Sequence, residues 1–317
     1  MPILEVQDLK THYKTDSGRV KAADGISFSL DEGESVGIAG ESGCGKTTVI
    51  MSLMRLVDQR DIVGGKVILD GESILDMPED QFRHLRWKKM SLVSQAAMGA
   101  LNPVFTVGWQ IVEAIREHSD MSKKEALGLA SELLEQVGID PSRLHTYPHE
   151  LSGGMRQRAM IAMALACSPK IVIADEMTTA LDVVTQVQIL KLFQELQERL
   201  NLSVIAISHE LPILGQICEN IMVMYAGKVV ELGPTEVLFR EPLHPYTQWL
   251  LESLVDIEGP RKAPKGIPGR PPSLLNPPVG CRFAARCRYT KPVCQEQEPP
   301  LVEIRKKHSV ACHLVAK

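Results

Sequence analysis

The chain has 317 residues, 44% of them hydrophobic, and a formal net charge of −4. That length exceeds one typical domain, the apolar share supports a sizeable core, and the charge gives no reason to expect a nucleic-acid partner. The longest apolar run, Ala159 to Cys167, is far shorter than the ~20 residues of a membrane span. The opening Met1-Pro2-Ile3-Leu4-Glu5 has neither the basic stretch nor the apolar stretch of a leader, so a cytosolic location is expected.

Residues 3–6, 20–23, 27–30, 35–39 and 66–69 read as short strands, separated by turns such as Asp16-Ser17-Gly18 and Asp31-Glu32-Gly33. Together they predict an antiparallel β layer. Tyr13, beside Lys14 and Thr15 at a strand end, is either an aromatic platform for a nucleobase or a packed core ring. The apolar Ser35-Val36-Gly37-Ile38-Ala39 runs into Gly40-Glu41-Ser42-Gly43-Cys44-Gly45-Lys46-Thr47, and a helical pattern begins at Thr48. Strand, glycine-rich turn and helix start is the context of a phosphate-binding loop. Backbone N–H groups converge on phosphate oxygens there, and the helix N-terminus adds partial positive charge. Lys46 would reach the β- and γ-phosphates and the Thr47 hydroxyl would ligate Mg²⁺.

From about residue 106 to 167 the pattern is helical. Ser122-Lys123-Lys124-Glu125 is a capping box, followed by Ala126, Leu129, Ala130, Leu133, Leu134 and Val137 at helical spacing, with Gly138 as the stop. The block, taken from about residue 95, reads as a helical subdomain inserted into an α/β core. Within it, Leu151-Ser152-Gly153-Gly154-Met155-Arg156-Gln157-Arg158 opens a helix with one hydroxyl and two glycines, a second anion site by the same logic. One nucleotide rarely needs two such sites in one chain, so the second is expected to serve the nucleotide of another subunit. Residues 170–176 form a buried strand that delivers Asp175 and Glu176 at its C-terminal end. Asp175 would hold Mg²⁺ through water, and Glu176 would polarise the attacking water. A helix over 186–200 and a strand over 203–209 complete an alternation that predicts a mainly parallel sheet.

Composition changes near residue 256. Residues 256–317 hold 10 of the 20 prolines and four of the seven cysteines, and 12 Lys and Arg against 5 Asp and Glu. The expected division is therefore a nucleotide-binding domain over 1–255 and an extension over 256–317. Cys281, Cys287, Cys294 and Cys312 are too widely spaced for tight zinc-ligating pairs, and a disulfide framework does not suit a cytosolic protein. An iron–sulfur cluster, Zn²⁺ and unliganded thiols are the open readings, with Arg282, Arg286, Arg288 and Lys291 at hand to offset a cluster's negative charge.

The phosphate loop, Gln95, Leu151-Ser152-Gly153-Gly154-Met155, Asp175-Glu176, Ala180-Leu181-Asp182 and His209 fall in the order and spacing of an ATP-binding cassette ATPase, which residues 1 to about 255 resemble. The resemblance implies an ATP site built from Tyr13, Gly40, Ser42, Gly43, Cys44, Gly45, Lys46, Thr47, Thr48, Gln95 and Asp175, with Ser152, Gly153 and Gly154 reaching the γ-phosphate across a dimer. Mg²⁺ would be held by Thr47, Gln95 and Asp175. Glu176 resembles the general base and His209 the switch histidine, with Lys46 as the third catalytic group. Tyr147-Pro148-His149-Glu150, Met155-Arg156-Gln157-Arg158, His244-Pro245-Tyr246-Thr247 and Ile267-Pro268-Gly269 are closer to the oligopeptide, dipeptide and nickel importer branch.

That branch implies a second ATPase subunit, two membrane permeases and an external substrate-binding protein, with the ATPase peripheral at the cytoplasmic face of the membrane. It also implies a [4Fe-4S] cluster on the four tail cysteines. The cargo follows from the resemblance as di- or oligopeptides, with nickel chelates and oligosaccharides as alternatives. A soluble cassette in translation or repair is the rival class, disfavoured by the single cassette and the absence of heptads. Met177 departs from the family, which usually has proline there, and residues 96–100 are less polar than its usual stretch.

Overall fold

The computed structural model describes residues 2–94, 97–253 and 266–315, which form two compact units. In the first unit, strand Met90–Val93 pairs in parallel with Ile171–Asp175, in register from Met90 against Ile171 to Val93 against Ala174. Ser203–Ile207 lies on the other side of Ile171–Asp175. All five residues of the middle strand are buried, as the unbroken apolar run requires of a strand covered on both faces.

Helices Val107–His118, Lys123–Gln136 and Gly153–Ala164 pack against one another in this unit. The expected capping box is present: Glu125 N–H donates to Ser122 Oγ at 3.3 Å, and Ser122 N–H to Glu125 Oε2 at 2.8 Å. Ala126, Ala130, Leu133 and Leu134 are buried, and Gly138 ends the run with φ 70°. The next long helix, Val183–Leu200, starts three residues earlier than its periodicity indicates. Two valines and a threonine weaken the helical signal there, but Asp182 Oδ1 accepts from Thr185 N–H at 3.0 Å and sets the start by capping.

The second unit contains a hairpin of Leu4–Thr15 and Gly18–Leu30, with Ile62–Leu69 on the other side of Leu4–Thr15. The short strands expected over residues 3–30 are therefore two long ones, of 12 and 13 residues. Asp8 explains the misreading. It has φ 47°, and the buried positions change parity across it, from Leu4 and Val6 to Leu9 and Thr11. An inserted, bulge-like residue does this, and it breaks the period-2 pattern without ending the strand.

The sheet is mixed rather than mainly parallel. Ser35–Ala39 runs parallel to Asn220–Tyr225, but Asn220–Tyr225 pairs antiparallel with Lys228–Pro234. Lys228–Pro234 pairs antiparallel with His308–Val310, and that strand with Val302–Arg305. The C-terminal strands thus add to the sheet of this unit. Glu231, on strand Lys228–Pro234 opposite Val310, is fully buried. Its carboxylate accepts from Leu243 N–H at 2.8 Å and His244 N–H at 3.0 Å, and lies 2.8 Å from His308 Nε2. No helix among the described residues is long and apolar enough to cross a membrane.

Arg282 fixes the tail at a second point, pairing with Asp24 and donating to Ala226 O, and both charged residues are buried. Burial alone would raise the Asp24 carboxyl, but the charges of Lys228 and Arg282 and the hydrogen bonds of His12 and Arg282 hold it below its usual range. Arg282→Met leaves a buried carboxylate short of its main partner, so stability should fall by about 3 kcal/mol, read as a lower urea midpoint. A depressed carboxyl stabilises above the unfolded pKa and ceases to as pH falls through the folded one. The gap between wild type and variant should therefore close below about pH 4.

Candidate nucleotide site

The phosphate loop lies in the second unit, between strand Ser35–Ala39 and helix Lys46–Leu53. Gly40 has φ 147°, and a Cβ there would stand 2.2 Å from Met224 O. Gly45 has φ 107°, and its Cβ would stand 2.0 Å from Ala22 O. Neither position admits a side chain, so these glycines set the loop's path between neighbouring backbones. The Lys46 ammonium is buried and donates to Gly40 O at 2.7 Å and Glu41 O at 3.2 Å. It is thereby held over the loop rather than extended into solvent. Ser42, Gly43 and Thr47 are exposed, while Cys44 is buried and its thiol is pushed up by that burial.

No side chain caps helix Lys46–Leu53, and its first turn has no acidic residue. The N–H groups of that turn lack intrahelical partners by geometry, leaving a concentrated donor set for an anion. Tyr13 is half-buried, and its hydroxyl donates to Thr48 Oγ1 at 3.4 Å. The ring therefore stands at the start of this helix, where a nucleobase platform is needed. His209, in the same unit, is exposed just past strand Ser203–Ile207, with Nε2 3.7 Å from Glu210 Oε1.

Three contacts to the loop have no local sequence signal. Glu41 N–H donates to the Tyr246 hydroxyl at 2.8 Å. The Glu41 carboxylate takes both arms of the Arg286 guanidinium, Nη1 to Oε2 at 2.8 Å and Nη2 to Oε1 at 2.9 Å. Tyr225, whose hydroxyl accepts from Arg286 Nη1 at 3.1 Å, packs against Tyr246 with ring centroids 4.7 Å apart.

The first unit carries the other predicted residues. Ser152 caps helix Gly153–Ala164, accepting from Met155 N–H at 3.3 Å. A Cβ at Gly154 would stand 2.6 Å from Thr185 Cγ2, so packing requires glycine there whatever the ligand. Asp175 is the buried last residue of its strand. Glu176 follows with φ 47° and accepts the Thr179 hydroxyl at 3.3 Å. Met177 is buried, so the side chain that replaces proline is taken up by the core. Gln95 lies outside the described residues.

The seven cysteines are all free thiols. Among the described residues no group of three or more His, Cys, Asp or Glu side chains is placed to hold a metal ion. Burial, and then charge on Cys312, Cys294 and Cys287, pushes the Cys281 thiol up to about 11. Burial also raises Cys287 and Cys312. Cys281 N–H donates to Cys294 O at 2.8 Å, and Tyr289 N–H points at Cys287 Sγ at 3.4 Å. The tail arginines do not serve to offset cluster charge as expected. Arg282, Arg286 and Arg288 pair with Asp24, Glu41 and Glu252 instead.

Comparison with known proteins agrees with this geometry. The family model for the ABC transporter matches residues 23–179, and that for the oligopeptide/dipeptide transporter C-terminal region matches residues 230–294. The chain is 46% identical to the probable peptide ABC transporter ATP-binding protein y4tR of Sinorhizobium fredii, over 98% of this chain and 94% of that protein. It is 42% identical to the oligopeptide transport ATP-binding protein OppD of Bacillus subtilis, over 99% and 89%. The ATP-binding cassette MJ0796, solved as a dimer bound to ADP and Pi, superposes with a TM-score of 0.66 at 27% identity, covering 73% of this chain and 98% of that one. The chain belongs to the ABC transporter family and is one of its ATP-hydrolysing cassette subunits.

Proposed function

We propose that this chain powers the import of di- or oligopeptides by hydrolysing MgATP against membrane permease partners. The observation that carries the reading is the likeness to peptide-transport ATP-binding proteins, which runs through cassette and tail alike. In this reading a second ATPase subunit, a different chain by preference, pairs with this one. Two permeases and an external binding protein complete the machine, and the ATPase pair sits at the cytoplasmic face of the membrane. Residues 1–255 form the cassette, with its helical subdomain over about 95–167, and residues 256–317 form the extension.

The roles divide by chemistry. Gly40, Ser42, Gly43, Cys44, Gly45, Lys46, Thr47 and Thr48 cradle the phosphates, and Tyr13 stacks on adenine. Thr47, Gln95 and Asp175 are hard-oxygen donors of the kind Mg²⁺ takes. Glu176 accepts a proton from the attacking water, and His209 grips the γ-phosphate. Ser152, Gly153 and Gly154 offer their N–H groups to the nucleotide of the partner subunit. Import is tested by peptide uptake in cells deleted for this chain, which should be lost and be restored by the wild-type sequence.

The tail is read as a staple for a small module, held by a [4Fe-4S] cluster on Cys281, Cys287, Cys294 and Cys312. Four cysteines in one short tail and the Tyr289 amide directed at Cys287 Sγ support that donor set. Protein purified without oxygen should contain iron and absorb near 400 nm (a roughly placed band). Zinc without iron in elemental analysis contradicts the assignment.

A further inference from the structure

Arg286 has a role that neither a phosphate-loop pattern nor a cysteine pattern predicts. It is buried, at the end of the single turn Ala284–Arg286, and Cys287 follows it directly. A guanidinium has five N–H donors, and all five have acceptors here. Nε donates to Pro268 O at 2.9 Å, Nη1 to Glu41 Oε2 and Tyr225 Oη, and Nη2 to Glu41 Oε1 and to Ile267 O at 3.2 Å. Planarity and full use of donors fix this group in one orientation.

What it holds is the second residue of the phosphate loop. The remaining polar atoms of Glu41 are engaged as well. Its N–H goes to Tyr246 Oη, and its carbonyl accepts from Cys44 N–H at 3.2 Å and from Lys46 Nζ. Glu41 therefore joins three things: the tail through its carboxylate, the aromatic cluster through its N–H, and Lys46 through its carbonyl. The carboxylate also carries a negative charge next to a loop that must receive a polyanion. The bidentate guanidinium neutralises that charge and holds the carboxylate in one orientation.

We propose that Arg286 of the cysteine-bearing tail is a positioning residue for nucleotide binding, acting through Glu41 to hold and neutralise the phosphate loop. The proposal rests on the reading of residues 40–47 as the nucleotide site. It makes nucleotide affinity depend on the order of the tail, since the guanidinium is carried by the residue before one of the four thiols.

The test is MgADP binding by calorimetry on the full chain, with folding checked by thermal melting. Arg286→Met should raise the Kd by about tenfold or more, the size of a coupled charge pair. The defect should shrink as salt screens the uncompensated carboxylate. Adding Glu41→Gln to Arg286→Met should recover most of the lost affinity, because the uncompensated charge is gone. A merely structural arginine gives no such recovery. If Arg286→Met does not fold, Arg286→Lys keeps the charge without the fork and should show a smaller defect that Glu41→Gln again relieves.

Unchanged Kd in folded Arg286→Met overturns the proposal. So does a double variant no better than the single one. Lys46→Ala separates the two levels: it should abolish MgADP binding. Retained binding in Lys46→Ala overturns the nucleotide-site reading itself, and this proposal with it.

Discussion

Glu176→Gln should abolish ATP turnover while nucleotide binding persists. The residue follows the last residue of a buried strand, Asp175, and turns away from it with φ 47°, which gives its carboxylate a fixed exit from the sheet. Glutamine has the same length and still accepts the Thr179 hydroxyl that now meets Glu176 Oε2, so the loop over residues 176–179 should keep its shape. What the amide cannot do is accept a proton. Removing a positioned general base costs about 10²- to 10⁴-fold in rate. The loss should appear in kcat with little change in nucleotide affinity, since the carboxylate acts on the attacking water. With hydrolysis blocked, ATP should accumulate in a long-lived dimeric state that elutes at about twice the protomer mass. Turnover within tenfold of wild type would assign the base elsewhere. Loss of binding would give Glu176 a structural role.

Much of this was legible in the sequence because the chemistry is local. Gly40, Gly45 and Lys46 stand in one turn, where spacing alone predicts strand, loop and helix, and the structure adds only why no Cβ fits. The capping box at Ser122 and the stop at Gly138 were equally local. The errors have physical causes. A left-handed residue at Asp8 shifted the alternation of a long strand and made it look like fragments. Capping by Asp182 outweighed the weak helix propensity of Val183, Val184 and Thr185. Antiparallel pairing of the C-terminal strands depends on contacts between residues near 231 and 310, which no local pattern encodes. The same holds for the Glu41–Arg286 fork. Its partners are 245 residues apart, and each has an ordinary local reading, one as a variable loop position and the other as a cation beside cysteines.

Lys46→Ala should eliminate transport outright. The ammonium is buried among loop carbonyls, and alanine removes the charge that would meet the β- and γ-phosphates together with the ammonium's hydrogen bonds to Gly40 O and Glu41 O. Both losses act at the same place, so the effect should exceed that of any single exposed contact. Uptake of a labelled oligopeptide therefore gives the most direct test of the account. Cells deleted for this chain should lose that uptake, the wild-type chain should restore it, and neither Lys46→Ala nor Glu176→Gln should do so although each is expressed. Uptake that survives the deletion, or that Lys46→Ala restores, would contradict the account.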